Sequence, residues 1–192
     1  MENIFLKEKI RREALIIDNN IIKVDHFLNH QIDVKVLDQI ASIFFDYFKN
    51  RNITKIVTIE ASGIAIACSL ARFLNVPVVF AKKVSNINDN YYACQVFSYT
   101  KQTLNNIVID KRFLNDKDNV LIIDDFLANG QAVLGLLDLV KQAHSQIVGV
   151  GIVIEKSFQK GSILLKKQNI DLLSIIQIQE IVNNKIIFKG EI

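Results

Sequence analysis

The chain has 192 residues, of which 50% are hydrophobic and 22% are charged, and its formal net charge is +3 at pH 7. This composition excludes an intrinsically disordered tail protein and predicts one globular domain with a large buried core. The weak positive charge suits anionic small molecules, but it gives no argument for nucleic acid as a partner.

The sequence gives no indication of export or of membrane insertion. The first 14 residues are charged throughout, and nowhere do about 18 apolar residues follow one another without a charge or an amide. Cys68 and Cys94 stand in no metal-ligand or redox spacing, so we expect two free thiols in a reducing compartment. A cytoplasmic protein with no membrane partner is the resulting expectation.

The first quarter of the chain is predicted from the spacing of its apolar residues and turns. We expect a short amphipathic helix at 6–15, a hairpin at 16–24 around an Asp-Asn-Asn turn, a loop at 26–33 and a helix at 34–49. From Lys55 onward, short β-branched runs alternate with helical patterns. Strands at 55–60 and 76–81 flank a helix at 64–74, and this alternation predicts parallel pairing.

The polar, asparagine-rich middle of the chain, residues 85–106, is predicted to be a long mobile loop flanked by strand pieces. A structureless loop of that length is usually functional. Beyond it we predict strands at 120–123, 147–154, 172–178 and 185–188, and helices at 130–143 and 159–168. The resulting fold class is α/β, a doubly wound and mainly parallel sheet in a single domain, 1–192. We expect a core at about 34–169 and a small hood from about 1–33 and 170–192.

Three strand-end loops carry candidate chemistry, because ligands of open parallel sheets bind outside the carboxyl ends of the strands. In the first, Asp124 and Asp125 end a strand and precede the small residues 128–132 at the start of a helix. Two acids can accept hydrogen bonds from the vicinal hydroxyls of a ribose, and backbone N–H groups at a helix N-terminus can bind a phosphate. An ordinary strand–loop–helix with capping acids is the alternative.

The second loop is Glu60–Gly63, in which Gly63 permits uncommon backbone geometry and Ser62 offers a hydroxyl; a plain turn capped by Ser62 is the alternative. The third loop contains Lys156 and Phe158, which are suited to donate to a carbonyl oxygen and to stack on a ring. A solvated lysine beside a glutamate is the alternative there.

The first of these loops resembles the phosphoribosyl-diphosphate signature of the type I phosphoribosyltransferases. In that family the turn commonly reads Thr/Ser-Gly-Gly-Thr, whereas this chain has Asn129-Gly130-Gln131-Ala132. The form Ala-Asn-Gly-Gln is similar to one subfamily, the bacterial xanthine phosphoribosyltransferases. Further segments similar to that subfamily extend over nearly all of the chain from 23 to 159, namely 23–33, 54–63, 76–83, 99–103, 120–132 and 149–159.

The resemblance implies a type I phosphoribosyltransferase fold and an enzyme of purine salvage. Such an enzyme transfers the phosphoribosyl group of phosphoribosyl diphosphate to N9 of xanthine, which gives xanthosine monophosphate and diphosphate. It also implies a homodimer and Mg²⁺ as cofactor, with the ion held mainly by the substrate and not directly by protein ligands.

The resemblance, together with the strand-end chemistry, assigns roles to individual residues. The catalytic residues are Asp124 and Asp125. Phosphoribosyl diphosphate is assigned to Glu60, Ala61, Ser62, Gly63, Lys82, Lys83, Ala128, Asn129, Gly130, Gln131 and Ala132. Xanthine is assigned to Ile22, Asn29, Lys156 and Phe158, and a closing flap to Tyr99, Thr100 and Lys101.

Two other functions remain open from the sequence. The nearer one is a phosphoribosyltransferase for guanine, hypoxanthine or adenine. The other is a non-enzymatic regulator of the same fold that senses phosphoribosyl diphosphate and binds nucleic acid. Only about 50 residues precede the predicted sheet, too few for an added DNA-binding domain as well as the hood, and the charge shows no basic stripe.

Overall fold

The structure, a computed structural model, describes residues 3–98 and 102–191 of the chain. Its strands are β1 (Leu15–Ile17), β2 (Ile21–Lys23), β3 (Lys55–Ile59), β4 (Val78–Val84), β5 (Tyr91–Ser98), β6 (Thr103–Asp110), β7 (Asn119–Leu127), β8 (Gln146–Lys156), β9 (Leu172–Val182) and β10 (Lys185–Phe188). Its helices are α1 (Ile4–Glu13), α2 (Val34–Phe48), α3 (Ser62–Leu74), α4 (Gln131–Gln142) and α5 (Gly161–Lys167), with helical turns at Asp25–Asn29 and Lys111–Phe113. The predicted flap residues Tyr99, Thr100 and Lys101 lie outside the described residues.

The central sheet has eight strands in the order β10-β9-β8-β7-β3-β4-β6-β5. The five central strands of this order, β9, β8, β7, β3 and β4, are parallel to one another. At the edges, β10 pairs antiparallel with β9, β6 with β4, and β5 with β6. Helices α2 and α3 contribute to one buried apolar cluster, and α4 and α5 contribute to a second. The predicted doubly wound α/β architecture with a mainly parallel sheet is therefore confirmed.

Helix α2 shows how local sequence produces one of these packed layers. The Asp33 carboxylate caps its N-terminus by accepting hydrogen bonds from the backbone N–H groups of Lys35 (3.1 Å) and Val36 (3.4 Å). Residues at helical spacing are buried along one side of it. These residues are Val36, Leu37, Ile40, Ala41, Phe44 and Phe48. No helix within residues 3–98 and 102–191 has the length and apolar character needed to span a membrane.

The N-terminal segment contacts the C-terminal segment of the chain. The predicted hairpin is present as β1 and β2, with Asp18 and Asn19 both at a φ of 50° in its turn. The side-chain oxygen of Asn19 accepts a hydrogen bond of 2.8 Å from the backbone N–H of Asn184, and Arg11 of α1 pairs with Glu191. The C-terminal strands themselves extend the main sheet through the pairing of β9 with β8.

Two sequence predictions were wrong. Residues 85–106 do not form a long loop, because β5 and β6 form a regular antiparallel hairpin from Tyr91↔Asp110 to Ser98↔Thr103. One side of this hairpin packs in the core through Val96 and Ile107, while the other side is mixed, with Gln95 and Asn106 next to the buried Val108. The predicted loop at 26–33 contains a helical turn, Asp25–Asn29, which buries Phe27 and Leu28.

Candidate active site

The candidate residues on β3, β4, β7 and β8 meet at one edge of the sheet. These strands are parallel neighbours in the order β8-β7-β3-β4, so their carboxyl ends lie side by side. Three groups of predicted residues therefore come together: the diphosphate turn (Glu60–Gly63), the acid pair (Asp124 and Asp125) and Lys156. Lys82 and Lys83 lie on the neighbouring strand β4.

The acid pair lies inside β7 and not after it, because that strand continues to Leu127. The regular alternation of the strand is interrupted there, since Ile122 and Leu127 contact one apolar cluster while Ile123 and Phe126 contact the other. The two backbone N–H groups that follow the acids are bonded to them: Asp125 N donates to Asp124 Oδ1 over 3.1 Å, and Phe126 N donates to Asp125 Oδ1 over 2.9 Å.

The two acids differ in their electrostatic environment. Asp124 is 3% exposed and Asp125 is 8% exposed. Burial, and then the neighbouring Asp125 charge, raises the pKa of Asp124 well above its usual range, against the opposing effect of Lys83. Asp124 thus holds its proton to higher pH than an exposed carboxyl.

Thr58 is a buried polar residue beneath the diphosphate turn that was not predicted from the sequence. Its hydroxyl makes no hydrogen bond to any part of the chain that the structure describes. A Cβ at Gly63 would lie 2.0 Å from Thr58 Oγ1 and 3.2 Å from Asp124 Oδ1. Only glycine leaves room at this position, so the diphosphate turn lies directly against the acid pair. The sequence signal that could have indicated Thr58 is that it is a polar residue within the mostly apolar strand Lys55–Ile59.

The diphosphate turn is connected to β4 through Glu60. The Glu60 carboxylate accepts a hydrogen bond of 2.6 Å from the backbone N–H of Lys83, and the Glu60–Ala61 peptide is cis. The two lysines of β4 face different surroundings. Lys83 acts on the charge of Asp124, whereas the Lys82 ammonium lies 5.6 Å from the centre of the Phe80 ring. Of these two lysines, Lys83 is therefore the one whose charge acts on the acid pair.

The phosphate turn, Ala128–Ala132, lies where β7 leads into α4. It lines a cavity of about 150 Å³ together with Phe126 and Val133. Gly130 has a φ of 83°, a left-handed conformation that favours glycine, and α4 begins at the next residue. Backbone N–H groups at the first turn of such a helix lack helical partners and attract anions. The cavity is thus suited to a phosphate group.

Lys156 ends β8 and reaches the N-terminal hairpin. Its ammonium donates a hydrogen bond of 2.7 Å to the backbone carbonyl oxygen of Asn20. The side chain is half-buried, and burial lowers its pKa. Phe158, in the turn that follows, is 42% exposed. An ammonium has three N–H donors, so the contact with Asn20 leaves donors for a ligand oxygen.

The remaining predicted base-site residues lie on the N-terminal segment. Ile22 is only 6% exposed and packs in the apolar cluster beneath the hairpin. Asn29 is exposed at the end of the helical turn Asp25–Asn29. Across residues 3–98 and 102–191, no cluster of three His, Cys, Asp or Glu side chains is arranged to hold a metal ion.

The chain is similar to known proteins in both sequence and fold. Residues 23–184 match the model of the phosphoribosyl transferase domain. The chain is 51% identical over 181 residues to a xanthine phosphoribosyltransferase of Pediococcus pentosaceus, covering 93% of this chain and 95% of the relative. It is 48% identical over 187 residues to a xanthine phosphoribosyltransferase of Clostridium novyi, covering 96% and 98%.

Among solved structures, the fold is similar to that of adenine phosphoribosyltransferase from Trypanosoma brucei in complex with AMP, pyrophosphate and ribose-5-phosphate. The TM-score is 0.78 at 18% sequence identity, with 96% of this chain and 85% of that chain covered. A likeness at this identity concerns the fold, and it confirms the predicted type I phosphoribosyltransferase fold.

Proposed function

The chain belongs to the phosphoribosyl transferase domain family, and from that premise we propose that it is a xanthine phosphoribosyltransferase of purine salvage. It transfers the 5-phosphoribosyl group of phosphoribosyl diphosphate to N9 of xanthine. The products are xanthosine monophosphate and diphosphate.

The choice of xanthine as the base rests mainly on Lys156. Its half-buried ammonium lies at the same edge of the sheet as the acid pair and the phosphate turn. An ammonium only donates hydrogen bonds, so it favours a purine that presents carbonyl oxygens. Adenine carries an amino donor at its six-position and is disfavoured opposite this group. We propose that Phe158 stacks on the purine ring. Asn29, whose amide both donates and accepts hydrogen bonds, contacts the edge of the purine, and Ile22 packs against the purine.

The reaction is a displacement at the anomeric carbon of the ribose. N9 of xanthine forms a bond to C1′ from the face opposite the leaving group, while the bond from C1′ to the diphosphate oxygen breaks and its electron pair leaves with diphosphate. The proton of the imidazole ring of xanthine is released to solvent. The transition state gathers positive charge on the ribose ring and negative charge on diphosphate, and both charges require stabilisation.

The residues of the site divide this work. We propose that Asp125, with Asp124 behind it, accepts hydrogen bonds from the ribose hydroxyls and favours the positive ring. The phosphate turn binds the 5′-phosphate through backbone N–H groups. The diphosphate turn and Lys83 bind the departing anion, and Lys82 assists from β4. We propose that Tyr99, Thr100 and Lys101 belong to a flap that excludes water, which would otherwise hydrolyse the activated sugar.

Mg²⁺ is the proposed cofactor, and its oxygen preference fits this site. The phosphates of the substrate and bound water supply its oxygen ligands, and magnesium usually keeps several waters and binds through substrate phosphates, so no direct protein ligand is proposed. When bound, the ion neutralises charge on the leaving diphosphate. We further propose a cytoplasmic homodimer without a nucleic acid partner, and a division into a core at about 34–169 and a hood from about 1–33 and 170–192. The resemblance to the subfamily supports these points.

A base-competition assay tests the proposal. Purified protein is mixed with phosphoribosyl diphosphate, Mg²⁺ and equal concentrations of xanthine, guanine, hypoxanthine and adenine, and the monophosphates are separated by chromatography. Xanthosine monophosphate is the expected main product. Faster formation of another monophosphate would assign the chain to a different purine, and a salt-dependent shift of RNA without any turnover would favour a regulator.

A further inference from the structure

Glu155 is a buried charged residue to which the proposed reaction gives no role. It precedes Lys156 on β8 but points to the other side of the strand, because successive side chains alternate. The residue is 3% exposed. A buried carboxylate is costly unless hydrogen bonds satisfy it, so its partners indicate what it holds in place.

The Glu155 carboxylate has partners on each oxygen. Oε1 accepts a hydrogen bond of 2.8 Å from the Ser157 hydroxyl, and Oε2 accepts one of 3.1 Å from the Gln177 amide of β9. Burial acts to raise the pKa of Glu155, but the hydrogen bonds from the Ser157 hydroxyl and the Gln177 amide, within a polar setting that includes the nearby Ser174 and Ser162, outweigh it and lower the pKa below its usual value. The side chain is therefore an anion at neutral pH, with its negative charge satisfied.

One of these partners leads to the base side of the site. Ser157 stands between Lys156 and Phe158, in the turn that follows β8. Its hydroxyl is bonded to Glu155, and its backbone N–H donates a hydrogen bond of 2.8 Å to the carbonyl oxygen of Ile178. Two bonds thus fix the segment from which both proposed base contacts project.

The other partner anchors the carboxylate to the sheet. Gln177 of β9 lies opposite Glu155 in the parallel pairing of β8 with β9, and its side-chain amide donates the hydrogen bond of 3.1 Å to Oε2. Glu155 therefore connects the segment that follows β8 to the neighbouring strand.

We propose that Glu155 is a positioning residue that fixes the base-contacting segment Lys156–Phe158 to the sheet, through Ser157 on one oxygen and Gln177 on the other. The proposal rests on the proposed function, since it takes that segment as the binding site of the base. Glu155 itself touches neither substrate. Its effect is on how well the base is held.

The Ser157 branch makes the proposal testable by single substitutions. Ser157→Ala removes it, and we expect the KM for xanthine to rise about fivefold to tenfold while the affinity for phosphoribosyl diphosphate, measured by calorimetry with Mg²⁺, stays unchanged. This selective loss of xanthine is the branch pattern. Glu155→Ala should show the same pattern, and Glu155→Gln, which keeps the shape and one acceptor, restores part of the loss.

Controls separate positioning from a loss of stability. Ser145→Ala removes a buried serine whose hydroxyl donates over 2.6 Å to the Asn115 carbonyl, and it leaves both constants unchanged. Melting curves confirm that each variant is folded at the assay temperature. The proposal is overturned if Ser157→Ala or Glu155→Ala weakens both substrates equally, or if Glu155→Ala melts earlier with both constants unchanged.

The outcome is independent of the identity of the base. Wild-type protein is first assayed with all four purines, and the variants are then compared on whichever base it converts. Absence of xanthine turnover contradicts the proposed function alone, whereas absence of the branch pattern contradicts the role of Glu155 alone.

Discussion

The carboxylate of Glu60 accepts a hydrogen bond of 2.6 Å from the backbone N–H of Lys83, which joins the diphosphate turn after β3 to the adjacent strand β4. The Glu60 carboxylate is therefore engaged in a contact within the protein. The turn and the Lys83 cation are fixed relative to each other by this contact.

Removing that contact is expected to weaken binding of phosphoribosyl diphosphate. Glu60→Ala should raise its KM about fivefold to tenfold, because a hydrogen bond to a charged group is lost and the turn is released. Glu60→Gln retains an acceptor oxygen and should recover most of the affinity. Steady-state kinetics with either substrate varied provides the measurement, and a larger effect on xanthine than on phosphoribosyl diphosphate would contradict the assignment.

Lys156 is expected to control the use of the base. Lys156→Ala removes the donor proposed for a purine carbonyl and also the bond to Asn20, so the KM for xanthine should rise at least about tenfold. Calorimetry should show nearly unchanged binding of phosphoribosyl diphosphate. The matched control is Lys167→Ala, which removes an exposed lysine from α5 and should behave as wild type. Equal loss of both substrates in Lys156→Ala would disprove the role in base binding.

Asp124 should make the stability of the protein depend on pH. Its pKa is raised in the folded chain above its ordinary value of 3.8, so the folded state retains a proton that the unfolded chain has lost. Rising pH above 3.8 therefore lowers the free energy of unfolding until the folded-state pKa is passed. Asp124→Asn removes this dependence and should be the more stable protein at high pH.

Melting temperatures from pH 4 to pH 9 measure this effect as the difference between variant and wild type. The difference should grow with pH, by about 2–4 °C for each kcal/mol gained. Asp125→Asn, in contrast, should lower the catalytic rate, because a neutral amide does not stabilise a positive ribose ring. A difference in melting temperature that is constant across the range would contradict the raised pKa.

Gly63 and Thr58 should show strongly non-additive effects. Gly63→Ala places a Cβ 2.0 Å from Thr58 Oγ1 and should destabilise the protein by about 1–3 kcal/mol while reducing activity. Thr58→Ala removes the obstructing oxygen. The double variant should therefore recover much of the stability lost in Gly63→Ala, with a coupling energy of about 1 kcal/mol or more. Denaturant unfolding measures all four proteins, and additive changes would show that the two residues do not contact.

Local patterns predicted most elements of the fold because each element buries a face with its own period. The helix from Val34 and the strand from Lys55 were both found in this way. The hairpin of β5 and β6 was missed, since the asparagines within and before it are typical of loops and only contact with α4 buries one of its faces. The far ends of β7, β8 and β9 were missed for a related reason, because the polar residues there interrupt an apolar run.

The sequence by itself determined the order of most strands and helices, though not β5 and β6, and the residue types at the strand ends, since both depend on neighbours close along the chain. It also determined the family, through motifs such as residues 120–132. Only the tertiary structure decided what each polar side chain meets. It shows Glu60 bonded to Lys83, Lys156 to Asn20, and Asp124 buried deeply enough to raise its pKa. These contacts join residues far apart in sequence, and burial and charge depend on everything packed around a group.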